Sequence, residues 1–356
     1  GDYAGAKGLV HSAVELLDTS ELTVAMNENE EVKPEMVRTI LAQPGGEKKL
    51  DALIAGLDPQ AKRKVAKVAL EERFQLKLEL FTTEKGDVAD NDMDKQAPDI
   101  LRFYAMMQAL PAAHTKDNPN LRLIKHMGDT GAGGSYSKYS REVELQIGKA
   151  TEKKEEIIGL ESELGAIDDD AKPPTGKEPP TTFDWTTLHE IGHAVDDRLG
   201  FMKGKAGLPE FGGWREYGAN VSEIAEAAHK HFDFPAAYIE AYLTRQKMEP
   251  PADPNGDPVA WERLRYEVEA WCDSIRADRA IYWSAAATNR AKLKDGRVYQ
   301  EAYGGRWVSY LADARKKGVA GYQFRAPGEW FAEIYAAYYS GHLNPKHPAG
   351  AWLKNL

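Results

Sequence analysis

A chain of 356 residues with 42% hydrophobic content is long enough to bury a core of its own. Its 46 basic against 56 acidic side chains give a net charge of -10, which argues against a nucleic-acid partner held by phosphate contacts and leaves basic substrates open. The single cysteine, Cys272, cannot form an internal disulfide, no run approaches the ~18 apolar residues of a membrane span, and GDYAGAKGLV lacks the regions of a signal peptide. Cytosolic folding is the simpler reading, while a chain that starts at Gly1 rather than Met reads as a fragment or a processed product.

Residues 1 to about 85 read as helical. Asp58 before Pro59 is a cap-then-proline start, after which Val65, Ala69, Leu76 and Leu80 fall on one helical face, with Lys62, Arg63, Lys64 and Lys67 as a solvated basic stretch. The acidic run Asp87 to Asp94 fails as a calcium loop, because Lys95 and Leu101 stand where Gly and Glu are required. It reads as a linker that closes a helical N-terminal region, 1–95, suited to delivery or partner docking.

Two strands are expected next, Leu121 to Lys125 and Arg141 to Ile147, paired with each other and with Val143, Leu145 and Ile147 on one side. Gly128, Gly131, Gly133 and Gly134 between them read as a flexible loop, since no capped helix follows as a dinucleotide fingerprint requires. Four prolines in AKPPTGKEPP, 171–180, exclude regular structure there, and from 216 to 300 the composition reads as helical.

The segment TTFDWTTLHEIGHAVDDRLGF carries an HExxH motif where a helix is expected, with Thr182 or Asp184 as its cap. Residues four apart share a helix face, so His189 and His193 can aim two imidazole nitrogens at one ion, and Glu190 lies beside it to take a proton from water. Leu188, Ile191 and Val195 supply the apolar packing, and Gly192 allows close approach of another backbone. Asp196 and Asp197 lie on roughly the same face as His193; either can accept the second ring N–H of a ligand histidine, or both can form a solvated helix end.

A catalytic zinc needs a third protein ligand. A second helix starts at Pro327 in YQFRAPGEWFAEIYAAYYSG, with Glu329 and Glu333 four apart on one face and Trp330, Phe331, Ile334 and Tyr338 as its apolar remainder. The bland reading of the two glutamates is a surface pair. A rival lies in REYGANVSEIAEAAHKHF, where Tyr217 precedes Glu223 and Glu226, while His229 and His231, two apart, cannot share a face.

HEIGHAVDD followed by Tyr322, six residues and EWFAE resembles the anthrax lethal factor family, a branch of the gluzincin metallopeptidases. The resemblance covers about 184–200 and 320–340. It implies one Zn²⁺ held by His189, His193 and Glu329, with Glu190 as general base, Tyr322 facing the oxyanion and Glu333 supporting the ligands. About 135 residues separate His193 from Glu329, more than the family usually shows, so the helices at about 205–315 are expected as an insertion.

The fold expected is α+β and mostly helical, a zincin-like metallopeptidase domain over 96–356 with a small sheet and a helical insertion. The function expected is a zinc-dependent endopeptidase acting on a protein or peptide substrate. Substrate is expected to pair as an added strand along Arg141, Val143 and Leu145. The resemblance further implies a secreted toxin or effector, delivered into a target cell by machinery that engages the N-terminal region. The alternatives are a housekeeping cytoplasmic peptidase and a non-catalytic zinc-stabilised peptide-binding module; the second has no need of Glu190.

Overall fold

The computed structural model describes residues 32–79, 99–127, 133–146, 166–218, 296–302 and 306–356, with positions 154, 259, 260, 263 and 267 between them. The acidic run 87–94, Leu80, Gly128, Gly131, Ile147, Cys272 and the rival glutamates Glu223 and Glu226 lie outside these residues. The chain is mixed α+β and divides into two compact units, Gly1–Lys153 with Thr181–Arg198, and Lys154–Pro180 with Leu199–Leu356. Among the described residues no helix is long and apolar enough to cross a membrane.

The described part of the first unit opens with three helices, α1 (Pro34–Leu41), α2 (Gly46–Gly56) and α3 (Pro59–Phe74). Asp58 starts α3 as expected, since its carboxylate accepts the backbone N–H of Gln60 at 2.9 Å and of Ala61 at 3.1 Å, while Pro59 takes the position that needs no donor. The helix ends sooner than its hydrophobic spacing implied. Gln75 adopts a left-handed backbone at φ 53°, and the chain then runs extended through β1 (Lys77–Glu79). Leu76 and Leu78 are buried two residues apart, the period of a strand rather than a helix face.

After α4 (Ile100–Gln108), strands β2 (Leu123–His126), β3 (Gly134–Ser137) and β4 (Glu142–Leu145) complete a four-stranded sheet of order β1-β2-β4-β3. The two expected strands do pair, in parallel, Leu123 opposite Glu142 through His126 opposite Leu145. Val143 and Leu145 are fully buried, while Glu142 and Glu144 turn to the opposite face and share Lys125 of β2 at 2.8 and 3.1 Å. Because β1 pairs with β2, the N-terminal region expected as separate shares one sheet with the strands beyond the linker.

Part of the expected glycine loop is itself a strand. Gly134 opens β3, which pairs antiparallel with β4 and forms the edge of the described sheet. This corrects the placement of substrate along Arg141, Val143 and Leu145: β4 is flanked by β2 and β3, so both its backbone edges are already bonded, and Arg141 sits in the β3–β4 turn at φ 62°.

The second unit contains α6 (Phe201–Lys205), an antiparallel sheet of order β5-β7-β6 made by β5 (Arg215–Gly218), β6 (Arg297–Glu301) and β7 (Trp307–Leu311), then α7 (Pro327–Tyr339) and α8 (Ala349–Leu353). The insertion expected as helical at 205–315 carries strands at 215–218, 297–301 and 307–311, while its described interior positions 259, 260, 263 and 267 are helical. Buried Arg297 locks these strands, donating from Nε to Ser309 Oγ at 2.8 Å and from a terminal nitrogen to the carbonyls of Ser309 and Gly213. Phe201, Phe211, Trp330, Phe331 and Trp352 form one aromatic cluster around α7, with ring centroids 4.9 Å apart for Phe201 and Trp352 and 5.1 Å for Phe201 and Phe331.

The proline-rich 171–180 segment is irregular, as its composition requires, and polar contacts fix it. Lys177 Nζ donates to the carbonyls of Ser340 and Gly341 at 3.2 and 2.7 Å, beyond the C-terminus of α7. Lys317 pairs with Asp168 at 3.2 Å and with Asp170. His347 completes this corner: Nδ1 accepts the Ala349 N–H at 3.1 Å, which leaves Nε2–H to donate to the Lys317 carbonyl at 2.9 Å.

Both His347 nitrogens are thus committed in the neutral form, and protonation would set a ring N–H against a backbone N–H. Burial holds the imidazole below the usual histidine range; the hydrogen bond to the Lys317 carbonyl and the Asp170 charge oppose this, and the Lys317 ammonium adds slightly to it. The unfolded chain takes up this proton first, so the His347 contribution is intact above about pH 6.5 and is lost as the pH falls below it. Thermal unfolding should show wild type losing melting temperature from neutral pH to about pH 5 more steeply than His347→Gln; parallel profiles would refute this role.

Candidate metal centre

Helix α5 (Thr182–Leu199) carries the motif. Its cap is neither Thr182 nor Asp184 but Thr181, whose Oγ1 accepts the Asp184 N–H at 3.1 Å. Asp184 instead pairs with Arg102 of α4 at 2.9 Å; burial pushes its carboxyl above the usual range, and the Arg102 charge opposes this. Phe103 and Phe183 meet at 6.1 Å between the same two helices. Leu188, Ile191 and Val195 are buried as their spacing implied, so one side of α5 is anchored in the core of the first unit.

On that rigid helix His189 and Glu190 are buried and His193 is half-buried. The two Nε2 atoms stand 3.0 Å apart with the rings nearly perpendicular at 85°. One potential ligand atom from each of His189, Glu190 and His193 falls within 4.8 Å of the others, the group of three metal-ligating side chains found among the described residues. Two nitrogens bound to one zinc at their usual length and a tetrahedral angle stand about 3.3 Å apart, so a small adjustment of either ring admits the ion. The donor set of neutral imidazoles and a carboxylate suits zinc or a similar divalent metal.

β3 flanks the motif. A Cβ on Gly134 would meet Thr186 Cγ2 at 2.6 Å, the Glu144 carbonyl at 3.1 Å and Glu190 Cγ at 3.2 Å, so only glycine lets this strand lie against the helix beside Glu190. Further along, the Tyr136 hydroxyl donates to Asp197 at 3.1 Å, and Asn120 Nδ2 donates to the same oxygen at 3.0 Å. Asp197 thus ties α5 to β3 from the exposed end of the helix, in keeping with the solvated-end reading. Thr186, Glu190 and Asp197 occupy one stripe of α5, at helical spacings of four and seven. Gly134, Tyr136, Thr186 and Asn120 were not among the expected site residues; the Gly-Gly-Ser-Tyr run was their one trace in the sequence.

The expected residues Tyr322, Glu329 and Glu333 belong to the second unit. Glu329 and Glu333 are buried in α7 among Trp330, Phe331, Ile334 and Tyr335, which removes the surface-pair reading. Tyr322 lies half-buried in the short turn Gly321–Phe324 before α7, with the Arg325 guanidinium 5.3 Å from its ring centre. Tyr217, the tyrosine of the rival segment, shares a 2.8 Å hydrogen bond with Ser309 Oγ. Comparison of the chain with family models, curated proteins and solved structures gives no match.

Gly134→Ala should cost about 1–3 kcal/mol of stability in urea unfolding, because the added methyl collides with Thr186 on one side and a backbone carbonyl on the other. Thr186→Ser removes the nearest colliding atom, so in the Gly134→Ala background it should recover part of that loss, and strict additivity of the two changes would count against the contact.

Proposed function

We propose that the protein is a zinc-dependent endopeptidase whose metal is held by His189, His193 and Glu329, with Glu190 as general base. The observation that carries this reading is the convergence of the His189 and His193 Nε2 atoms, 3.0 Å apart, with the Glu190 carboxylate in the same group. A structural zinc site closes with four protein ligands and needs no base; two histidines with a carboxylate at the intervening helix position suit a catalytic one. The buried carboxylate of Glu329 supports its assignment as third ligand, alongside the resemblance of Tyr322 and EWFAE to the lethal factor family.

When bound, the metal supplies Lewis acidity to the substrate carbonyl and makes water a stronger acid. Glu190 accepts one proton from the attacking water as its oxygen bonds to the carbonyl carbon. It then delivers that proton to the amide nitrogen as the C–N bond breaks, and the second water proton passes from the new carboxyl group to the amine, leaving a free carboxylate and a free ammonium group. Tyr322 donates to the oxyanion, and Glu333 holds the ligands from behind, both by the same resemblance.

The peptide takes the outer edge of β3. Gly133 and Ser137 bond inward, accepting the backbone N–H of Gln146 and Arg141 at 3.0 and 2.7 Å. By the alternation of an antiparallel ladder, Gly134 and Tyr136 present their N–H and C=O outward, and that edge begins beside Glu190.

Glu190→Gln should retain metal by elemental analysis and lose at least about 10²-fold in kcat on a cleaved protein substrate; retained cleavage would exclude Glu190 as the base. Zinc content of the wild type beside Glu329→Ala and Glu223→Ala identifies the third ligand. Loss in Glu329→Ala alone is expected, and loss in Glu223→Ala alone would move the ligand to the rival segment and withdraw the roles of Tyr322 and Glu333.

A further inference from the structure

The β3–β4 turn carries a concentration of positive charge that forms no ion pair among the described residues. Lys138, Tyr139 and Ser140 are exposed, Tyr139 at 89%, and Arg141 follows at φ 62°. The Lys138 ammonium stands 5.3 Å from the Tyr139 ring centre, so cation and aromatic form one amphipathic tip. The carboxylates nearest in the sheet are occupied elsewhere. Lys125 takes both Glu142 and Glu144, and Asp197 is held by Asn120 and Tyr136. Among the described residues neither Lys138 nor Arg141 has an ion-pair partner.

This tip ends the strand whose beginning lies against Glu190. Extended chain advances about 3.3 Å per residue, so a peptide laid on β3 with its scissile bond at Glu190 reaches Lys138 about three to five residues away. The antiparallel direction is the better bonded one, and it places those residues on the N-terminal side of the scissile bond. We infer that Lys138, Tyr139 and Arg141 are a specificity element that selects substrates with an acidic residue about three to five positions before the cleaved bond. An adjacent apolar or aromatic side chain rests on Tyr139. The selection runs opposite to the net charge of -10, which by itself favours basic targets. It rests on the peptidase reading and on β3 as the substrate strand.

The test is cleavage-site profiling of a proteome-derived peptide mixture by the zinc-loaded full chain, with Glu190→Gln as the blank, followed by the doubly substituted Lys138→Glu, Arg141→Glu. Wild type should show Asp and Glu enriched three to five residues before the cut. On matched synthetic peptides with either Glu or Lys at that position, the kcat/KM ratio should favour Glu by about five- to tenfold at low salt and shrink at about 1 M salt. The double variant should reverse that ratio. Its melting temperature should match wild type, since the side chains replaced make no ion pair among the described residues. Absence of cleavage by wild type overturns the peptidase reading and this inference with it. Cleavage without an upstream acidic preference, or with one that survives the double substitution, overturns this inference alone.

Discussion

The first unit is organised around one constraint: two imidazoles one helical turn apart must converge on a common point along a helix whose other side is buried in the core. Burying polar rings and a carboxylate is costly unless each finds a partner, and an ion or hydrogen bonds can supply it. The cost is tolerable here because the rest of α5 is fixed by apolar contact, with Leu188, Ile191 and Val195 fully in the core, and by the Thr181 cap and the Arg102–Asp184 pair at its start. A looser helix would let the rings turn away from each other and the site would disperse.

The sheet serves that helix. β4 is a filled central strand whose buried Val143 and Leu145 hold the sheet together, and its two glutamates share one lysine of β2. β3, made of small and polar residues, is free to do something else. It is tied to α5 through Tyr136 and Asp197, and it approaches Glu190 because Gly134 has no side chain to hold it off. The result, among the described residues, is a backbone edge of the sheet next to a buried carboxylate, an arrangement suited to positioning an extended chain against a reactive group.

The second unit stabilises a different helix by different means. α7 carries two buried glutamates within an aromatic cluster, and the irregular 166–180 segment is pinned to the residues after it by Lys177, His342 and Asn344, which bond to backbone carbonyls. The Arg297–Ser309–Tyr217 network does the same for the three-stranded sheet, using a buried guanidinium as a multiple donor. Polar side chains bonded to backbone replace regular pairing where prolines and short strands cannot provide it.

The features that the sequence determined by itself are those set within one element. The four-residue spacing of His189 and His193 gives a shared helix face, Asp58–Pro59 gives a helix start, and the alternation of Val143 and Leu145 with glutamates gives a strand with one buried side. Each is a consequence of the local period of the backbone. Features that depend on which segments become neighbours were decided by the tertiary structure. Leu76 fits a helical face as well as a strand period until Gln75 turns left-handed, and the strands at 215–218, 297–301 and 307–311 are too short to stand out against the Ala- and Glu-rich chain between them. The order β1-β2-β4-β3 puts β4 inside and β3 outside although β4 has the stronger strand pattern, because a strand with two apolar, fully buried side chains gains more from pairing on both edges. Gly134 read as loop because the reason for a glycine there, Thr186 and Glu190 on the far side of the missing side chain, lies more than fifty residues away along the chain.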